Sequence, residues 1–255
     1  ERYQTLERCC NGLLDLGGAF PREEIPSVFG LCFALKANFS GRALWQLGTP
    51  TVERLGGDSL QNCWQVGCNT LDAFTFTFNE LMLGGGVGFN LTPEFVYELP
   101  PVRHPIAVER VETFDCDFVV PDNREGWVEL LDRILQGFFH TGKHVRYNVF
   151  GVRDKGVAIN GFGGVASGAE DLVKGMHLIS LILRSAVGRK LRPVEVLDVM
   201  NIIGMIVVAG NVRRSAGIAC GSPSDMEFLN AKNWSRFKVP VWRQHSNNSV
   251  ITSSI

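Results

Sequence analysis

Apolar side chains recur every three to four residues along much of the chain, and that period predicts amphipathic helices. Residues 1–17 carry Leu6, Cys9, Cys10, Leu13 and Leu14 at this spacing and run into Gly17-Gly18; residues 24–36 repeat the pattern more weakly. Glu125 to Phe139 presents Trp127, Leu130, Leu131, Ile134, Leu135 and Phe138 on one face. Two further helices are expected, one from about Asp171 to Val187 and one started by Pro193 and ending near Gly210, with a shorter amphipathic stretch at 224–232. Short strands are expected at 62–66, at 157–159 and around 248–251, and an irregular loop through 39–58. Residues 91–125 read as strand and loop, because Pro93, Pro100, Pro101, Pro105 and Pro121 break any long element. One stretch stays open. Phe74-Thr-Phe-Thr-Phe78 alternates with period two, as a half-buried strand does, yet Phe74, Phe78 and Leu81 also fit the i, i+4, i+7 spacing of a helix stopped at Gly84.

Composition narrows the setting. A net charge of −1 argues against a broad basic surface for nucleic acid. No apolar run approaches the ~18 residues of a membrane span, since Asp198, Asn201 and Gly204 interrupt the longest one. Seven cysteines without a CxxC pair, and five scattered histidines, form neither a disulfide framework nor a zinc site, which points to a reducing, cytoplasmic location. The sequence opens inside a helical pattern and stops without a closing signal, so a piece of a longer chain is expected.

The chemistry centres on 59–90. Cys63 sits on a short apolar stretch, and about twenty residues later comes Gly84-Gly85-Gly86-Val87-Gly88, a backbone nearly bare of side chains. Glycines there weaken any element by roughly 0.5–1 kcal/mol each, so they must serve a special conformation or the close approach of a ligand. Thiol chemistry beside a ligand held on the main chain is one reading, and a buried cysteine beside a glycine turn is the other. Thr49 and Ser59 offer hydroxyls to a phosphate, although loop hydroxyls more often bond their own backbone. Gly161-Phe-Gly163-Gly164-Val-Ala166 satisfies the dinucleotide fingerprint, but residues 172–194 hold no Asp or Glu for a ribose, which argues against a dinucleotide-binding dehydrogenase. A glycine loop at a helix start still suits an anion. Arg213 and Arg214 add paired guanidiniums in a turn.

Seven blocks, in order, then carry a resemblance: Ser40-Gly-Arg-Ala-Leu-Trp45, Gly57-Asp-Ser-Leu-Gln-Asn-Cys-Trp64, Asn79-Glu-Leu-Met-Leu-Gly-Gly-Gly-Val-Gly-Phe89, Pro121-Asp-Asn-Arg-Glu-Gly-Trp127, Ile159-Asn-Gly-Phe-Gly-Gly-Val-Ala-Ser-Gly168, Val208-Ala-Gly-Asn-Val-Arg-Arg-Ser-Ala216 and Ser246-Asn-Asn-Ser-Val250. Together they resemble class II ribonucleotide reductases, nearest the monomeric, adenosylcobalamin-dependent kind acting on ribonucleoside triphosphates. The resemblance covers nearly the whole chain but only the first part of the family's catalytic domain. It implies an α/β fold, the beginning of a ten-stranded barrel with outer helices, and it settles Phe74–Leu83 as helical. Residues 1–38 would be covering helices and 39–255 a partial barrel, with an insertion at about 91–125.

The resemblance also assigns roles. Cys63 matches the cysteine that gives electrons to the substrate and becomes half of a disulfide. Thr49, Asn62, Gly84, Gly85, Gly86 and Gly88 match the floor under the substrate. The loop at 160–168, with Gly161, Gly163, Gly164 and Ser167, and the loop at 211–217, with Arg213 and Arg214, match the two loops that read a deoxynucleotide effector. Adenosylcobalamin, a thioredoxin-like reductant and a monomeric state are implied with them. The radical-bearing cysteine and the disulfide partner of Cys63 belong to a later Cys-Gly-Glu loop that does not occur in this sequence. The barrel strands missing with it imply open sheet edges and an exposed apolar inner face. A nucleotide-binding regulatory module without chemistry is the alternative function.

Overall fold

The computed structural model describes residues 1–16, 20–159, 165–209 and 216–252. The chain forms two compact units, Glu1–Asn62 and Cys63–Ile255.

The first unit is helical. α1 (Arg2–Asp15) buries Leu6, Cys9 and Cys10, as its spacing predicts, and α2 (Ile25–Phe33) follows. The expected irregular loop is instead two short helices, α3 (Gly41–Gln46) and α4 (Pro50–Leu55). Each is too short to show a period, but each has a start signal. Ser40 Oγ accepts from the Ala43 N–H at 3.2 Å, and Pro50 stands in the first turn of α4. Gly12 lets α1 press on the backbone of Gly48, where any Cβ would collide, and Gly48 itself turns with φ +71°.

The second unit is α/β. In chain order it runs β1 (Cys63–Gly67), α5 (Asp72–Met82), β2 (Gly86–Asn90), α6 (Pro93–Val96), β3 (Val108–Arg110), β4 (Phe118–Val119) and α7 (Arg124–Gln136), which widens into a π turn at Gly137–Thr141. Then come β5 (Val145–Asn148), α8 (Glu170–Ser185), α9 (Pro193–Val208), β6 (Ala216–Gly221), α10 (Met226–Leu229) and β7 (Ser246–Val250). A four-stranded sheet has the order β1-β2-β6-β7 and a three-stranded sheet the order β3-β5-β4, with every pair parallel. Parallel neighbours need long crossovers, and α5 supplies the one between β1 and β2.

The open stretch is settled as helix: α5 buries Phe74, Phe78 and Leu81 together. Three strands depart from expectation. Residues 157–159 make no sheet strand, since only Ala158 bridges, antiparallel, to Val165. β2 and β6 are strands built from Gly-Val-Gly-Phe-Asn and Ala-Gly-Ile-Ala-Cys-Gly, whose small residues give no alternation to read. β5, Val-Arg-Tyr-Asn, lies in a stretch for which no element was expected, although it is the central strand of the smaller sheet.

α9 is the buried centre of this unit, with Val196, Leu197, Val199, Ile202 and Ile203 all fully enclosed. It also buries Asp198, whose carboxylate accepts from Arg243 Nε at 2.6 Å, Arg243 Nη2 at 2.7 Å and Trp242 Nε1 at 2.8 Å. Removing one partner from a buried pair of this kind costs about 3–5 kcal/mol. The pair therefore ties the turn that leads into β7 to the core helix.

Glu195 closes the start of α9. Its carboxylate accepts from Arg189 at 2.7 Å on both oxygens, and from the backbone N–H and side chain of Arg192. Burial, the largest single influence, pushes its acid up, but these donors together outweigh it and hold the carboxyl at about 2. Its folded pKa is thus depressed, so its stabilisation is complete above the usual carboxylate range and is lost as pH falls from about 4.5 toward 2. Glu195→Gln is expected to lower the thermal midpoint of the full-length protein at pH 7, with the gap to wild type closing between pH 5 and pH 2. A gap independent of pH over that range would show that ionisation of Glu195 is not what stabilises this helix start.

Candidate active site

Register puts the chemistry on one face. Cys63 pairs with Gly86, and Gly86 with Ala216; Gln65 pairs with Gly88, Gly88 with Ile218, and Ile218 with Asn247. Partners in parallel strands share a face, so these side chains and those of Asn90, Cys220 and Ser249 stand together. The opposite face carries Val87, Phe89 and Ala219, each no more than 1% exposed, and packs on the core. The expected apolar inner face is therefore not what this sheet presents: apart from Ala216 and Ile218 the open face is polar or bare backbone. Among the described residues β1 and β7 are its edges.

Each glycine in the run has its own reason. α5 ends at Leu83, and Gly84 turns the chain out of the helix with φ +80°, while the Gly84 and Gly85 N–H groups close back on the Leu81 and Glu80 carbonyls at 3.0 and 2.9 Å. Gly85 lies against the Trp64 indole, 3.1 Å from where a Cβ would stand, and Trp64 itself meets Phe76 edge-on at 5.7 Å. Gly86 and Gly88 alone belong to the face of Cys63. Gly88 is buried, and the side-chain amide of Gln65 occupies the space a Cβ would need.

The two nearby cysteines have opposite environments. Cys63 is exposed at the edge of the sheet, and its thiol is free. Cys68 is fully buried, and burial pushes its thiol far above the ordinary range, which suits packing and not exchange. Two residues assigned to the substrate floor lie in the first unit. Thr49 Oγ1 donates to the Gln46 carbonyl at 2.6 Å and Ser59 Oγ to that of Gly56 at 2.8 Å, the local backbone bonding expected of loop hydroxyls. Asn62, exposed, is the last residue of that unit.

Gly161, Gly163, Gly164, Arg213 and Arg214 lie outside the described residues. Ser167 is described, and it lines a cleft of about 140 Å³ together with Asp122, Arg124, Trp127, Arg153 and Gly168. Arg153 donates to Asp122 Oδ2 at 2.5 Å and to the Ala158 carbonyl at 3.2 Å. The stem of the glycine loop is closed by Ala166 N–H to Val157 O at 2.8 Å and Gly156 N–H to Ala166 O at 2.9 Å. An indole and two guanidiniums around such a cleft suit a planar, anionic ligand. Sequence reasoning assigned no role to Asp122 and Arg124 and gave Trp127 only a place on the apolar face of its helix, although all three fall in one of the seven blocks. Arg153, in the stretch without predicted elements, left no signal. Among the described residues no cluster of His, Cys, Asp and Glu is arranged for a metal ion, and no helix is long and apolar enough to cross a membrane.

Residues 107–183 match the family described as "B12-dependent ribonucleotide reductase, insertion domain". The chain is 35% identical to the adenosylcobalamin-dependent ribonucleoside-triphosphate reductase of Levilactobacillus brevis, over 91% of this chain and 38% of the relative. It is 33% identical to the enzyme of the same name from Lactobacillus leichmannii, with the same coverage. A crystal structure of a B-12 dependent (class II) ribonucleotide reductase superposes on 98% of this chain and 42% of its own, with a TM-score of 0.83 and 29% identity. The chain thus spans about two fifths of the proteins it resembles, and its α/β fold with parallel sheets is that of the class II structure. The alignment to the L. brevis protein extends over 283 positions, more than the 255 residues of this chain, so that relative carries residues here that this one lacks.

Accessibility orders the cysteines. With the full-length protein native and reduced, brief treatment with iodoacetamide is expected to label Cys63 first and Cys68 last, as read by peptide mass spectrometry. Labelling of Cys68 at the rate of Cys63 would contradict the placement of these two side chains.

Proposed function

We propose that this chain is the first part of the catalytic domain of a class II ribonucleotide reductase, and that the full-length protein reduces ribonucleoside triphosphates to 2′-deoxyribonucleoside triphosphates. The observation that carries the proposal is the placement of an exposed, free Cys63 in register with Gly86 on a polar, glycine-floored sheet face. The agreement in sequence, fold and insertion-domain match with proteins of that class supports it.

Replacing the 2′-hydroxyl by hydrogen releases it as water and consumes two electrons. Two thiols supply them and leave as a disulfide, which an external dithiol of the thioredoxin kind then reduces. Cys63 is one of those thiols. Its thiol is free, and the absence of a side chain at Gly86, its register partner, lets a sugar lie on the main chain beside the sulfur. The second thiol and the cysteine that carries the radical are assigned to the part of the protein beyond this chain. Adenosylcobalamin supplies the initiating radical when bound. The relatives' names carry that cofactor; the described residues supply a thiol and a nucleotide floor and identify no seat for it. A reducing cytoplasm accords with seven free cysteines, and a monomer with an insertion that stands in for a partner's helices.

The effector deoxynucleotide is assigned to the cleft beside Ser167 and the glycine loop, where Arg124, Arg153 and Trp127 offer charge and a stacking surface. The stretch with Arg213 and Arg214, which follows α9 in sequence, is assigned to pass the effector's identity to the substrate base. A non-catalytic nucleotide-binding module would keep this cleft but would have no use for Cys63.

Cys63→Ser in the full-length protein is expected to abolish multiple-turnover reduction by dithiol while nucleotide binding stays within about twofold of wild type; normal turnover would sink the assignment. Arg213→Ala or Arg214→Ala is expected to change which of four competing substrates is reduced under each effector, more than total activity, through a coupling of ~1–3 kcal/mol. Substrate ratios that follow wild type under every effector would make that loop structural only.

A further inference from the structure

Gln65 is the side chain nearest the chemistry that the functional reading leaves without a task. It stands two residues beyond Cys63 on the same strand and therefore on the same face. It is exposed, and its carboxamide has no hydrogen-bond partner among the described residues. Its position is nevertheless defined. The amide oxygen occupies the place where a Cβ on Gly88 would stand, and Ile218 Cγ2 lies 3.2 Å from that same point. A long polar side chain on the face of Cys63 thereby reaches across the sheet floor to Gly88. Glycine at 88 accordingly admits Gln65 first, and a ligand only through it.

We propose that Gln65 is a ligand-positioning residue of this site, its carboxamide hydrogen-bonding the nucleotide that lies over Gly86, and that Gly88 is glycine in order to seat it. The proposal rests on the nucleotide-reductase reading. A carboxamide both donates and accepts, so it meets the ribose hydroxyls or a phosphate oxygen equally well. A bond made alike in the ground state and the transition state tightens binding without changing kcat.

The test uses the full-length protein and a ribonucleoside triphosphate, with both steady-state reduction and equilibrium binding measured. Gln65→Leu keeps the bulk and removes the polar atoms; it is expected to raise KM and Kd together by about tenfold with kcat within about twofold. Thermal unfolding checks that the variant folds, as an exposed position should allow. Gly88→Ala is expected to raise Kd similarly in wild type but to add little in a Gln65→Ala background, because the collision then has no partner. A Leu variant that binds and turns over as wild type overturns the role of Gln65, and additive effects of Gly88→Ala and Gln65→Ala overturn the seat. A wild-type protein that binds no ribonucleotide overturns the functional reading itself, a result distinct from either.

Discussion

The parallel pairing of β1 with β2 is the constraint on which the site depends. Register in a sheet is all or none for the faces, because a slip of one residue would turn Cys63, Gln65 and Gly67 inward and Trp64 and Val66 outward. Burial forbids that slip. Val87 and Phe89 on β2 and Ala219 on β6 are enclosed in the core, so the alternate positions have only one way to face. Cys63 is exposed because its neighbours' neighbours are apolar, and its own chemistry plays no part in putting it there.

α9 holds that sheet from behind, and it does so with polar groups as well as apolar ones. Asp198, buried, is matched by two bonds from Arg243 and one from Trp242, so that its charge is compensated where water is excluded. Arg243 also donates to the Ala231 carbonyl at 3.0 Å, which draws the segment after α10 into the same network. The approach to β7, and with it Asn247 and Ser249 on the open face, is fixed by a charge pair rather than by strand propensity, which Ser-Asn-Asn-Ser-Val lacks.

The cleft at Ser167 is arranged on a similar principle, with Arg153 joining two segments that are distant in sequence. Its guanidinium holds Asp122, at the head of α7, and the carbonyl of Ala158, at the stem of the glycine loop. A ligand that drew Arg153 toward itself would act on both at once. Asn123 Oδ1, which accepts from the Gly126 N–H at 2.7 Å, fixes the helix start beside it and keeps Arg124 and Trp127 at the rim.

How much of this was legible follows from what periodicity records. α1, α7, α8 and α9 could be read because each is long enough for an apolar period to repeat, whereas α5 stayed open on pattern and was settled by the resemblance. The glycine run could be singled out because its cost to local structure demands a compensating use, and Cys63 because it is a thiol about twenty residues before that run. The sequence alone determined the longer helices and, through seven collinear blocks, the family resembled and the α/β class that the resemblance implies. It did not separate the glycines. Gly84 turns a helix end, Gly85 meets an indole, and Gly88 meets Gln65, and no pattern distinguishes such partners before the chain is folded. β2 and β6 were invisible because small residues carry no hydrophobic period, and residues 157–159 looked like a strand but make only one isolated bridge, Ala158 to Val165. Tertiary structure decided these, since a strand exists only through the strand beside it, and which side chain meets which depends on register between segments far apart in the chain.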